Sequence, residues 1–207
     1  MINLKGVSIE IKGNIILENV NVSFKEKNLY SIKGENGCGK TVLLKTIIGF
    51  IPPFAGSVEI DEIDIYKKNI FAPDCRAVLE KPEFIKELTG YENIKLLTEI
   101  NNKIKDTEID NWFKKFDLLK YKNDKVKTYS LGMLQKLALV QAFVESPKII
   151  VLDEPFNGLD NESVNKLKDI LKEEKNKGKI IIVTSHIEEN DKKLYDNIYL
   201  IEDYNLK

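Results

Sequence analysis

The chain has 207 residues, with 32 lysines and arginines against 33 aspartates and glutamates and a formal net charge of −1. That length accommodates one well-packed domain, or a core carrying one inserted subdomain. The charge balance excludes the polybasic excess that grips nucleic acid, so no nucleic-acid partner is expected.

Residues 2–24 alternate apolar and polar side chains around Lys12-Gly13-Asn14, which predicts a β-hairpin, and LYSI at 29–32 reads as a buried strand. A glycine-rich turn follows at once. Helical spacing over 40–48 then stops at Gly49 and the Pro52-Pro53 pair, and further β-like segments lie at 57–65 and 76–79. Between 83 and 144 strands vanish: segments 89–100, 106–116 and 131–144 carry helical spacing, with Thr89 and Asp106 as expected caps, and predict a helical insertion. Residues 148–152 form a continuous apolar strand, 162–177 a charged amphipathic helix closed by Gly178, and 179–184 a second buried strand. Strands interleaved with helices imply an α/β fold with a largely parallel sheet.

Cys38 and Cys75 match neither a metal-binding nor a redox spacing, and no apolar run has the length of a signal-peptide core or a membrane span. The expectation is a chain that neither crosses a membrane nor enters a secretory route by itself.

GENGCGKT, residues 34–41, fits G-x-x-x-x-G-K-[ST] between an expected strand and an expected helix, which is the context the motif needs. Gly34, Gly37 and Gly39 let the backbone from Asn36 and Cys38 to Val42 curl around phosphate oxygens. Lys40 neutralises the β- and γ-phosphates, and Thr41 is suited to hold Mg²⁺. A chance glycine turn is the bland alternative, and the flanking elements argue against it.

The strand at 148–152 ends in Asp153-Glu154-Pro155. Acids at the carboxyl end of a parallel strand face the crevice where such sheets bind ligands. Asp153 is placed to hold Mg²⁺ through water and Glu154 to polarise an attacking water, the alternative being two solvated carboxylates. His186, the single histidine, follows the last strand in TSH. In YSLGMLQK, residues 129–136, Ser130 is a good helix N-cap, yet Gly132 occupies the first turn at a cost of roughly 1 kcal/mol against alanine. Something must approach the backbone closely there.

Taken in order, GENGCGKT, YSLGMLQK, KIIVLDEP, NGLD and TSH resemble the ATP-binding-cassette ATPases, the nucleotide-binding subunits of ABC transporters, over nearly the whole chain. The resemblance implies a P-loop NTPase core with a mixed, mostly parallel sheet and an N-terminal antiparallel β subdomain. That core would comprise residues 1–82 and 147–207, with residues 83–146 as a helical subdomain carrying the signature. It implies two copies, or this chain and a second ABC ATPase, facing head to tail with ATP between the phosphate loop of one and the signature helix of the other. Ser130 and Gly132 would contact γ-phosphate in trans, while Lys40 and Thr41 act in cis. Asp153 would organise Mg²⁺, Glu154 would orient or activate water, His186 would support the γ-phosphate, and Asp160 of NGLD would join the two sites. A transmembrane permease on a separate chain would hold the ATPase at the cytoplasmic face of the cell membrane. The segment ELTGYENI is similar to that of drug-resistance and bacteriocin-immunity type exporters.

Several positions depart from the family pattern. In RAVLEKP, Glu80 stands where a glutamine commonly senses Mg²⁺; a glutamate can act through water but adds charge near an anionic nucleotide. Ile11 replaces an aromatic that stacks on adenine in many relatives. Val42 replaces a frequent second hydroxyl, worth roughly 1 kcal/mol of affinity if nothing compensates. Leu131 and Met133 replace a glycine and the glutamine of the usual LSGGQ. Two other readings stay open: a soluble ABC-type ATPase acting on ribosome or DNA, and a nucleotide-dependent regulatory module with little hydrolysis.

Overall fold

The computed structural model describes residues 1–80, 82–100, 104–185 and 193–207. In chain order the elements are β1 (Ile2–Ile11), β2 (Asn14–Phe24), β3 (Asn28–Lys33), α1 (Lys40–Ile47), β4 (Ala55–Ile60), β5 (Ile63–Asp64) and β6 (Cys75–Val78). There follow α2 (Gly90–Glu99), α3 (Asp106–Lys115), α4 (Leu131–Phe143), β7 (Ile149–Leu152), α5 (Asn161–Asn176), β8 (Ile180–Ser185), β9 (Asn197–Glu202) and β10 (Asn205–Leu206).

Two sheets result. An antiparallel sheet runs β2-β1-β4-β5, and a mixed sheet runs β10-β9-β3-β8-β7-β6, parallel everywhere except at β10. The central strand β7 is apolar throughout (IIVL), and β8 is apolar up to Thr184, because both faces of the sheet are covered. Alternate residues of β7 show the division: Ile150 and Leu152 pack toward the helices, while Ile149 and Val151 pack toward α1 and the antiparallel sheet. Period-2 alternation thus sends one short strand into two separate cores.

The helices between β6 and β7 form as their caps dictate. Thr89 and Glu92 make a reciprocal capping box on α2, with the Glu92 N–H donating to Thr89 Oγ1 at 3.1 Å and the Thr89 N–H to Glu92 Oε2 at 2.7 Å. The expected cap at Asp106 is displaced by one residue. Lys105 is the N-cap, Glu108 Oε2 accepts its N–H at 3.1 Å, and Asp106 is the first helical residue, paired with Lys95. A carboxylate there still complements the helix dipole, so the sequence pattern fits either register. Buried Leu137, Leu139, Val140 and Phe143 of α4 join Ile109 and Phe113 of α3 in the helical core.

Two reversals lack the usual turn signal, the first of them dividing a segment expected to be one strand. The segment at 57–65 is two strands, because Asp61 and Glu62 both adopt positive φ (48° and 69°) and turn the chain so that Ile60 pairs with Ile63. Asp203 and Tyr204 (50° and 62°) do the same between β9 and β10. Two consecutive left-handed residues suit the twist of a hairpin. Neither turn contains glycine, the signal by which such turns are usually recognised.

Candidate functional site

The carboxyl ends of β3, β8 and β7 lie side by side in the parallel part of the sheet. After β3 the loop reaches Gly39, the N-cap of α1, at φ 107°. A Cβ at Gly39 would lie 2.8 Å from Ile16 Cγ2, so the antiparallel sheet closes on the loop and leaves no space for a side chain. No side chain caps α1 and no acid occupies its first turn. The first-turn N–H groups and the positive end of the helix dipole are left for an anion. Lys40, 5% exposed, donates from Nζ to the carbonyls of Gly34 at 2.9 Å and Glu35 at 3.0 Å, and lies 3.7 Å from Glu154 Oε1. Asn36 and Gly37 are exposed, whereas Cys38 and Val42 are half-buried on the core beneath the loop. An uncapped helix end, a glycine loop and a buried ammonium fit a polyphosphate.

Asp153 follows β7 and is 8% exposed. Its Oδ2 accepts the Thr41 hydroxyl at 2.5 Å, and its Oδ1 accepts the Thr184 hydroxyl. A threonine oxygen beside a carboxylate oxygen offers the hard ligands Mg²⁺ favours when most of its shell is phosphate and water. Glu154 adopts φ 48°, donates its N–H to Thr184 Oγ1 at 2.9 Å and accepts from Asn157 Nδ2 at Oε2, 2.7 Å away. Glu80, on the rim, is paired with Lys45 of α1. The extra negative charge at that position therefore has a counter-ion on the phosphate-loop helix. Thr41, Glu80, Asp153 and Glu154 line one cavity of ≈ 380 Å³, together with Leu131 and Gly158.

The turn at 130–132 is built differently. Ser130 caps α4, its hydroxyl accepting the Met133 N–H at 3.3 Å. A Cβ on Gly132 would stand 3.0 Å from the Gly158 carbonyl oxygen, so the glycine has a reason within its own chain: the loop after Glu154 runs against it. Gln135 Nε2 donates to the Pro155 carbonyl at 3.2 Å, and Lys136 Nζ lies 3.9 Å from Asp160 Oδ2. Asp160 itself caps α5, its Oδ1 accepting the Ser163 N–H at 2.8 Å, and that bond holds its carboxyl below the usual range. Its local duty is thus a helix cap.

The structure therefore brings Lys40, Thr41, Asp153 and Glu154 together, with Glu80 at their edge and Ser130, Gly132 and Asp160 on the adjoining helix ends. His186 lies outside the described residues. Ile11 is half-buried at the end of β1, opposite Asn14. Thr184, Asn157, Lys45 and Gln135 escaped the sequence reading. Only Thr184 carried a signal, as a polar side chain ending the apolar strand IIIV.

The family model described as ABC transporter matches residues 17–157. The Bacillus subtilis ABC transporter ATP-binding protein YybJ is 34% identical over 190 residues, covering 92% of this chain and 87% of that protein. The lantibiotic transport ATP-binding protein SrtF of Streptococcus pyogenes is 29% identical, covering 90% of this chain and 80% of its own. The dimeric ATP-binding cassette MJ0796, in a post-hydrolysis state bound to ADP and Pi, superposes with a TM-score of 0.85 at 25% identity, covering 100% of this chain and 97% of that one. With this fold and this gathering of residues, the chain belongs to the ABC transporter family, as an ATP-binding cassette and an ATPase.

Proposed function

We propose that this ATPase drives a permease carried on a separate chain, working at the cytoplasmic face of the membrane as a pair of cassettes, and that the transport is export. The observation that carries the reading is the convergence of Thr41, Asp153 and Glu154 on one cavity bordered by the signature helix, with the Lys40 ammonium 3.7 Å from Glu154. Among the described residues no helix is long and apolar enough to cross a membrane, so the span is assigned to a partner. Export draws support from the similarity to SrtF and from ELTGYENI.

ATP phosphates entering the loop give Lys40 better acceptors than the two carbonyls it now holds, and draw its ammonium from Glu154. Thr41 and Asp153 would hold Mg²⁺, which, when bound, neutralises phosphate charge and strengthens the electrophile. Glu154, released from Lys40, accepts a proton from the attacking water. Ser130 and Gly132 of a second cassette close the site over the γ-phosphate, and His186 is assigned to the same group. Residues 83–146 would move as the unit that carries Ser130 and Gly132. Glu80 would act through a metal-bound water when it leaves Lys45.

Affinity purification of the tagged chain from native membranes tests the assignment. A multi-span membrane protein should co-purify in stoichiometric amount, and inverted vesicles carrying the pair should accumulate cargo on adding ATP. Recovery with ribosomes alone, or uptake in the opposite sense, would overturn the permease and export assignments respectively.

A further inference from the structure

Thr184 is wholly buried at the end of β8, after four apolar residues, and its single hydroxyl serves both acids of the site. It accepts the Glu154 N–H at 2.9 Å and donates to Asp153 Oδ1. The sheet register explains why it can. Leu152 pairs with Val183, so the next residues, Asp153 and Thr184, meet across the strand ends just where β7 breaks into its loop.

Each contact has a consequence. With Oδ1 engaged by Thr184, the Asp153 carboxylate cannot rotate freely, and Oδ2 is the oxygen turned to Thr41. Glu154, meanwhile, sits at φ 48°, a left-handed conformation uncommon for a residue with a side chain. Its N–H is held by Thr184 and its carboxylate by Asn157, so the backbone and the side chain of Glu154 are located separately.

We propose that Thr184 is a positioning residue for ATP hydrolysis, whose hydroxyl orients the metal-facing oxygen of Asp153 and holds the backbone of Glu154. The proposal rests on the reading of Asp153 as a Mg²⁺ ligand and Glu154 as the base. A merely structural threonine would instead be replaceable by any side chain of its shape.

Thr184→Val keeps the branched shape and removes the hydroxyl; Thr184→Ser keeps the hydroxyl. Full-length proteins are compared by binding of a fluorescent ATP analogue with Mg²⁺ and with EDTA, and by single-turnover hydrolysis. Thr184→Val should bind the analogue in EDTA within twofold of wild type, lose at least fivefold of the affinity that Mg²⁺ adds, and hydrolyse at least tenfold more slowly. Thr184→Ser should restore both quantities to within about threefold. The proposal is overturned if Thr184→Val matches wild type in Mg²⁺-dependent binding and rate, if Thr184→Ser is as impaired as Thr184→Val, or if EDTA binding falls in parallel with rate. Glu154→Gln separates this failure from that of the underlying reading: if it hydrolyses like wild type, the base assignment is what fails, whatever Thr184→Val does to metal-assisted binding.

Discussion

Two helix N-termini border the cavity beside Asp153, and they are finished in opposite ways. α1 begins at a glycine with no side-chain cap, beside a buried lysine whose partners are backbone carbonyls and a carboxylate. α4 begins at Ser130, which caps its own helix, next to Leu131 at 66% exposure and a glycine pressed against Gly158. The first end is a site within one chain: its N–H groups and charge await an anion. The second is finished as a local structure, and under the proposed function it meets the phosphate carried by a second cassette. The contrast fits the proposed pairing of two cassettes.

The sharpest way to separate the two ends is to disable chemistry at the first. Glu154→Gln should lower hydrolysis by about 10²–10⁴-fold, the usual worth of a general base, while ATP binding survives; single-turnover rates and equilibrium binding check it together. The corresponding lesion at the second end is Gly132→Asp. It places a carboxylate where Gly158 and an incoming phosphate converge, and should abolish ATP-driven pairing while leaving binding at Lys40 within about threefold, as read by sedimentation and nucleotide titration.

Smaller changes refine the contrast. Ser130→Ala removes a helix cap and should cost about 1 kcal/mol of monomer stability in urea unfolding, with a further loss in pairing if the hydroxyl also meets phosphate. Glu80→Gln breaks a largely exposed pair with Lys45 and should shift stability by less than about 1 kcal/mol, so any clear change in Mg²⁺ requirement would report a role at the metal. The mildest test concerns the thiols. Burial pushes the Cys75 thiol up to about 12, so at pH 8 on the order of one molecule in ten thousand carries it as thiolate. Cys75 should resist alkylation in the folded chain, gain reactivity as pH rises toward that value, and label readily once unfolded.

How far the sequence foretold this arrangement depends on the range of the interactions. The phosphate loop was legible because strand, glycine turn and helix are contiguous, and the cap at Thr89 because a helix cap acts within a few residues. The interactions across the sheet were not. That Thr184 would reach Asp153, or Lys45 reach Glu80, follows from register between strands and helices far apart in the chain. The glycine-free reversal at Asp61-Glu62 hid the break between β4 and β5. Gly132 was half legible: its oddity in a first turn pointed to a close approach, and Gly158 supplies one that no local pattern announces.

The two-chain site is tested most directly by sedimentation of Glu154→Gln with saturating MgATP, alone and combined with Gly132→Asp. The single variant should form a dimer holding one ATP per chain, and the double variant should remain an ATP-loaded monomer. An ATP-loaded monomer in the first case, or an unchanged dimer in the second, would contradict the two-chain site.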